Sequence, residues 1–230
     1  NHTNVQQMLH HWGHAAYGFY DSPFDHALVV SIDGGGSDGT FQVFMADRRS
    51  GLRLPKSIMY NFCYAYGVLA KTRLSSSPAE MMSLSALGGK PGVYHRDISK
   101  IYLVDPKSIN AFSIVRANVV RLKKAIGPAE PALLNYAAAV QRELELRVLR
   151  IVSDIIKEKG LEVPALVMSG GVALNCRLNA FMQATLKVPV HVPPEPGDDA
   201  VPIGWGWQLH PPRRDQGSQT FTGLPLLDPE

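Results

Sequence analysis

Cysteine is scarce in this chain. The 230 residues hold two, Cys63 and Cys176, far apart and in no Cys-x-x-Cys pair. That excludes cysteine-built zinc and dithiol redox motifs and fits a reducing, cytoplasmic setting. Long apolar runs are lacking too. No stretch approaches the roughly 20 residues that span a bilayer, and the N-terminus has no apolar signal core, so no membrane role is expected. Charge of one sign is nowhere concentrated. The net charge is +3, and Arg48-Arg49, Lys123-Lys124 and Arg213-Arg214 are isolated pairs without interleaved aromatics, which argues against a nucleic-acid groove. No internal repeat is present. The chain opens without Met and enters a patterned helix almost at once, so it reads as part of a longer polypeptide.

What is there suits a globular α/β fold. Hydrophobic residues make up 45% and charged residues 19%, ample for a core in one large domain or two modest ones. The pattern predicts a helix over 5–20, with Thr3 or Asn4 as N-cap. A buried strand over 27–32 follows, then a glycine-rich hairpin loop, and strands near 41–46 and 52–58 complete a meander. Further helices are expected over 61–74, 79–87 and 109–125, with a short strand at 101–104. The longest helix is expected over 131–159. Leu134, Ala137, Ala138, Leu144, Val148, Ile151, Val152 and Ile155 recur in it at helical spacing, Pro131 opens it and Gly160 stops it. A strand over 165–168 leads through Ser169-Gly170-Gly171 to a helix over 174–186. A strand over 188–192 and a last helix over 201–209 follow. From Pro211 the composition turns polar and irregular, which predicts a tail or linker over 211–230 after a domain over 1–210.

Four groups of residues carry chemistry. His10 and His14 stand four apart, on one helix face, where two neutral imidazoles can share a metal; His11 with His14 is a less favoured pair. Asp33 ends an apolar strand, where a carboxylate is costly unless paired or bound to a cation. Gly34, Gly35 and Gly36 follow it, and such a run lets backbone N–H groups approach a phosphate without Cβ interference. Asp38 and Thr40 are expected to hydrogen-bond within that loop. Gly170 and Gly171 repeat the strand, glycine turn, helix logic, which aims a helix N-terminus at an anion. Asn175 either contacts a ligand or caps its helix. Asp198 either caps the last helix or joins the acidic set, and Asp199 competes with it. Two His and two Asp make a site for iron(II), manganese or zinc with open positions. Asp97 and Asp105 are acids of lobe-edge loops, and solvated surface is the favoured reading of both.

The series His10-His11-Trp12-Gly13-His14-Ala15-Ala16, Ser22-Pro23-Phe24, Ser31-Ile32-Asp33-Gly34, Ser169-Gly170-Gly171-Val172-Ala173-Leu174-Asn175 and Gly197-Asp198 resembles the O-carbamoyltransferases. That family includes the nodulation protein NodU and antibiotic-tailoring enzymes. The resemblance runs from about His10 to Gly204. It implies an actin-like, hexokinase-like lobe, a mixed sheet flanked by helices and related to the tRNA threonylcarbamoyl-transfer proteins. The lobe would be a partial domain. It further implies that His10, His14, Asp33 and Asp198 hold an iron-type metal, with His14 and Asp33 at the chemistry. Carbamoyl adenylate would lie against Gly34, Gly35, Gly36, Gly170, Gly171 and Asn175. Its carbamoyl group would pass to a hydroxyl of a small-molecule acceptor, leaving AMP. Carbamoyl phosphate and ATP would enter through a second domain outside this chain. Two rivals stay open: an actin-like phosphotransferase or ATPase, which needs no His pair, and a non-catalytic nucleotide-binding remnant.

Overall fold

The run from Ala27 to Ile32 is apolar at nearly every position because both of its faces are covered. In the computed structural model, which describes residues 8–58, 62–104 and 110–213, it forms the body of β1 (His26–Gly36), the central strand of a five-stranded mixed sheet. β1 pairs antiparallel with β2 (Gly39–Asp47), from His26 opposite Asp47 to Ile32 opposite Phe41. β2 pairs antiparallel with β3 (Gly51–Ile58). On its other side β1 runs parallel to β4 (Leu166–Ser169), and β4 parallel to β5 (Val190–His191), giving the order β3-β2-β1-β4-β5.

Period-two alternation sorts β1 between two cores. Leu28, Val30 and Ile32 face the larger one. There they meet side chains of α2 (Phe62–Ala70), α4 (His95–Tyr102), α5 (Ala111–Ile126), α6 (Glu130–Lys159) and α7 (Cys176–Leu186). Ala27 and Val29 face the smaller one, where Ala15, Ala16, Phe19 and Tyr20 of α1 (His10–Asp21) pack with Phe44, Ala46 and Val167. α8 (Val201–Leu209) lies on α1, so the layers run helices, sheet, helix pair. α3 (Pro78–Leu84) borders α6, its first turn capped by Ser77. No helix among the described residues is long and apolar enough to cross a membrane.

Several expectations need correction. The three glycines after Asp33 are not the hairpin loop. They continue β1, with the pairing irregular between Ile32 and Gly36, and Ser37-Asp38 makes the turn. Gly34 and Gly35 lie in the irregular stretch of the ladder, the behaviour of glycine at a bulge, and Gly36 pairs again, opposite Gly39. The strand expected over 101–104 is the end of helix α4. Ile98, Ile101 and Tyr102 recur at three and four and are its buried residues, so a β-branched pair of short range loses to a helical stripe. The helix expected over 174–186 starts later. Gly171–Leu174 forms a 3-10 turn, and α7 begins at Cys176 behind its N-cap Asn175, whose side chain accepts from Leu178 N–H at 3.0 Å. The caps expected at Thr3 or Asn4, the acid Asp105 and most of the 211–230 tail lie outside the described residues.

Candidate metal centre and adjoining pocket

α1 begins without a side-chain cap of its own: Leu9 stands at its N-cap. The tip of the β1–β2 hairpin supplies one. Asp38 accepts from His11 N–H with both carboxylate oxygens, at 3.0 and 3.1 Å, and His10 N–H donates to Ser37 Oγ at 3.4 Å. Free N–H groups and the positive end of the helix dipole are thereby matched by a carboxylate 27 residues away. Asp38 was expected to bond within its own loop; it acts on α1 instead.

This clamp sets the imidazoles. His11 turns toward the sheet, its Nδ1 2.7 Å from Ser31 Oγ and its Nε2 3.0 Å from the Gly39 carbonyl. Burial pushes its pKa down, and the nearby Asp38 carboxylate opposes that. His10 and His14 turn the other way, their Nε2 atoms 3.1 Å apart. Gly36 is glycine for His10: a Cβ there would lie 2.6 Å from the His10 ring. His14 Nε2 is 3.4 Å from Asp33 Oδ2 and 3.3 Å from Asp198 Oδ1, and His10 Nε2 is 3.5 Å from that same Asp198 oxygen. One ligand-type atom from each of His10, His14, Asp33 and Asp198 lies within 4.8 Å of the other three. His14 is buried, whereas the Asp198 side chain is 70% exposed, so the group opens to solvent on the Asp198 side.

Two further contacts fix the carboxylates. Burial alone would raise the pKa of Asp33, but hydrogen bonds from His14, Gly171 N–H and Gly34 N–H outweigh it and bring it down to about 2. The Gly171 N–H lies 2.6 Å from Asp33 Oδ2. The expectation that this second glycine turn aims a helix N-terminus at an anion is thus modified: its leading N–H serves Asp33, and Asn175 caps α7. Gly170 takes a φ of +82°, and a Cβ there would meet the Ile32 carbonyl oxygen at 2.4 Å. Asp198 comes from the 3-10 turn before α8 and caps nothing; Asp199 is not in the group. α8 carries Asp198 to the site because it crosses α1 glycine on glycine. A Cβ on Gly204 would lie 1.8 Å from the Gly13 carbonyl oxygen, and Trp205 Nε1 donates to the Leu9 carbonyl at 2.9 Å.

Two carboxylates converge on two imidazole edges whose nitrogens cannot both donate to each other. Mixed N and O donors of this kind fit a borderline to hard divalent ion. Beside them lies a cavity of about 360 Å³ lined by Cys63, Tyr66, Met82, Leu144, Gly171 and Asn175, among others. Sequence reasoning did not find Cys63 and Tyr66, since nothing but the fold brings α2 to the glycine turn. Burial, and then the charges of Asp33 and Asp198, push the Cys63 thiol up to about 11, so it stays protonated. Asp97 sits elsewhere, on α4 with Lys100 and Arg121 around a separate cavity.

Between Asp33 and the open solvent, Gly34 and Gly35 have no internal reason to be glycine. A Cβ on Gly35 would meet nothing within 4 Å, and one on Gly34 only Cys63 Sγ at 3.7 Å.

A family model described as "Carbamoyltransferase N-terminus" matches residues 1–206. An uncharacterized protein of Methanocaldococcus jannaschii is 28% identical over 208 residues, covering 86% of this chain and 39% of that protein. The chain therefore spans about two fifths of that relative's length. Among solved structures, component A of (R)-2-hydroxyglutaryl-CoA dehydratase from Acidaminococcus fermentans superposes with a TM-score of 0.53 at 14% identity, covering 86% of this chain and 69% of that one. The activator of 2-hydroxyisocaproyl-CoA dehydratase from Clostridium difficile, with bound ADPNP, gives 0.50 at 16% identity, covering 84% and 62%. These likenesses give the fold: an actin-like α/β lobe, as the sequence implied.

Proposed function

The chain belongs to the carbamoyltransferase family, and from that premise we propose that it is the transfer domain of an O-carbamoyltransferase, moving a carbamoyl group from carbamoyl adenylate to a hydroxyl of a small molecule. The observation that carries this reading is the convergence of His10, His14, Asp33 and Asp198, from three separate segments, within 4.8 Å. The finer reading is an enzyme of the NodU and antibiotic-tailoring kind, using iron(II), with manganese or zinc as substitutes. His10, His14, Asp33 and Asp198 would hold the ion, and Asp33, kept ionised by its hydrogen bonds, suits that task at any ordinary pH. When bound, the ion supplies positive charge beside the phosphate of the mixed anhydride.

The chain's own residues account for the rest. Gly34 and Gly35 leave a bare strip of backbone beside Asp33, room that internal packing does not use but a phosphate ester would. The neighbouring cavity, which Gly171 helps to line, offers an apolar seat for the adenosine part. The acceptor oxygen attacks the carbamoyl carbon and gives its proton to solvent water. The bond from that carbon to the phosphate oxygen breaks, and AMP leaves with the electron pair. Fixing donor and acceptor in one cleft supplies much of the rate, and charge complementarity at the departing phosphate adds to it.

The test uses the full-length protein, supplied with ATP, carbamoyl phosphate and a panel of hydroxyl acceptors. AMP release, carbamate ester and bound metal are measured. His14→Ala should lower metal affinity by more than about 100-fold, since even an outer partner of a metal ligand is worth 10–100-fold. Asp33→Asn should fold and fail to transfer. Full metal occupancy in His14→Ala would overturn the metal assignment, and near-wild-type transfer by Asp33→Asn would overturn the mechanism.

A further inference from the structure

The basic residues that the sequence shows only as scattered pairs are gathered by the fold. From Lys71 to Lys124 the chain holds ten Lys and Arg against three Asp and Glu, an excess of seven in a chain whose net charge is +3, so the remainder is acidic on balance. Helix α5 lies at the centre of that excess. It carries Arg116, Arg121, Lys123 and Lys124 and no acid. Val115, Val119 and Leu122 bury one of its faces in the larger core. The opposite face departs from the polar one that a surface helix usually presents. Val120 is 63% exposed, Phe112 56% and Ile114 40%, and exposed Arg116, Arg121 and Lys124 stand among them.

Two cavities flank this helix. One, of about 230 Å³, lies between α4 and α5 and is lined by Lys100 and Arg121, with Asn118 and the carboxylate of Asp97. The other, of about 350 Å³, lies between the end of α5 and the segment after α2. Lys71, Arg73 and Lys123 line it, and among the described residues no acid does. Lys123 Nζ donates to the Val68 carbonyl at 2.8 Å and to the Lys71 carbonyl, and Arg73 Nη2 donates to the Pro128 carbonyl at 2.9 Å. A carbonyl carries no net charge, so these bonds hold the cations in place without neutralising them. Burial, and then the charge of Lys71, push the Lys123 pKa down to about 8, a strain that a bound anion would relieve.

A partner for this face must supply several negative charges at once, along a helix of roughly 24 Å, and must take up aliphatic side chains between them. Nucleic acid supplies the charge but gains from stacked rings rather than from Val and Ile. Phe112 is already engaged against Tyr64, ring to ring at 4.5 Å. A free phosphate would fill one cavity and leave the helix bare. An anionic bilayer surface meets both needs: its phosphodiesters reach the cations and the cavities, and apolar side chains enter between the headgroups. We infer that the outer face of α5, with its two flanking basic cavities, docks the protein on anionic lipid surfaces. No helix among the described residues can span a bilayer, and a surface contact needs none. The sequence-based expectation of no membrane role rested on the lack of a span and of clustered charge; the fold brings the charge together.

The experiment is flotation of the full-length protein with vesicles of phosphatidylcholine alone and of phosphatidylcholine mixed equally with phosphatidylglycerol. Binding to the anionic vesicles should be tighter by about tenfold or more and should weaken with added salt, since each basic residue near such a surface is worth about fivefold. The double variant Arg121→Glu, Lys124→Glu should lose about 25-fold or more by the same measure. Val120→Ser should lose about five- to tenfold through its apolar side chain alone. All three positions are exposed, so circular dichroism should show an unchanged fold. Leu209→Ser, at an exposed apolar residue of α8 across the sheet, should bind as wild type does. No binding to either vesicle, equal binding to both, or binding that the α5 variants leave unchanged would overturn the inference. If polyglutamate or duplex DNA binds as tightly as the anionic vesicles and Val120→Ser leaves that binding intact, the face reads charge alone and the bilayer assignment falls.

Discussion

Gly36 has no Cβ because the His10 ring occupies the place where one would stand, 2.6 Å away. Its neighbours Gly34 and Gly35 meet no such obstacle. A run that looks uniform therefore divides into one glycine that shapes the metal group and two that face outward. Gly36→Ala should leave the sheet intact, since it sits at the hairpin end, and push His10 off the common point. Metal affinity should fall by about 10–100-fold, the range for losing a group that orients a ligand, read by metal titration with circular dichroism as the fold control. Asp33 gives the residue scale its pH dependence. Its carboxyl ordinarily titrates near 3.8 and is held at about 2 in the fold, so its charged form is favoured by folding. That stabilisation is fully present above pH 3.8 and is lost as pH falls through about 2. In metal-free protein, the stability difference between wild type and Asp33→Asn should shrink across that window in urea titrations. A difference independent of pH would contradict it.

At the scale of elements, the site depends on how closely α8 can approach α1. Gly13 and Gly204 face each other at the crossing, and a Cβ at 204 would sit 1.8 Å from a backbone oxygen, which no side-chain rotation relieves. Gly204→Ala should therefore destabilise by about 2 kcal/mol or more, at the upper end of overpacking costs, measured by denaturant midpoint. It should weaken metal binding as well, because α8 carries the turn that holds Asp198. Elements of this kind differ in how far the sequence disclosed them. α6 was legible because it has a long, unbroken period and clear stops, and β1 was legible as an apolar run as far as Ile32. α4 was not, because Ile101 and Tyr102 read as β-branched and aromatic until Ile98 is counted with them. His10 and His14 were legible as a pair because four residues make one helical turn. Asp38 as the cap of α1 was not, because the bond spans 27 residues and depends on how a hairpin folds back. Asp198 had a local explanation as a cap and entered the metal set only when read together with His10, His14 and Asp33. Cys63 and Tyr66 reached the cavity wall with no signal in sequence.

For the whole molecule, the four converging side chains join α1, the end of β1 and the turn before α8, segments held apart along the chain and joined in space. A cation bound by all of them would act as a cross-link between these elements in addition to its chemistry. Anything that binds the folded state and not the unfolded one stabilises it, by about 2.7 kcal/mol at a hundredfold excess over Kd. The gain should not be spread evenly. The α5–α6 side of the sheet rests on the larger apolar core, which contains none of the four residues. The α1–α8 pair rests on a smaller one, and Asp198 itself is largely exposed. Local opening follows local packing, so the elements nearest the ion should owe it most. Removing the metal from the full-length protein with a chelator should lower the unfolding midpoint. Amide exchange should then quicken chiefly at the hairpin tip Ser37-Asp38, in the first turn of α1, and from Asp198 through α8, while α5, α6 and the centre of β1 keep their protection. Uniform quickening would mean that the ion supports the fold globally. No change at Asp198 would mean that the exposed carboxylate is not among its ligands.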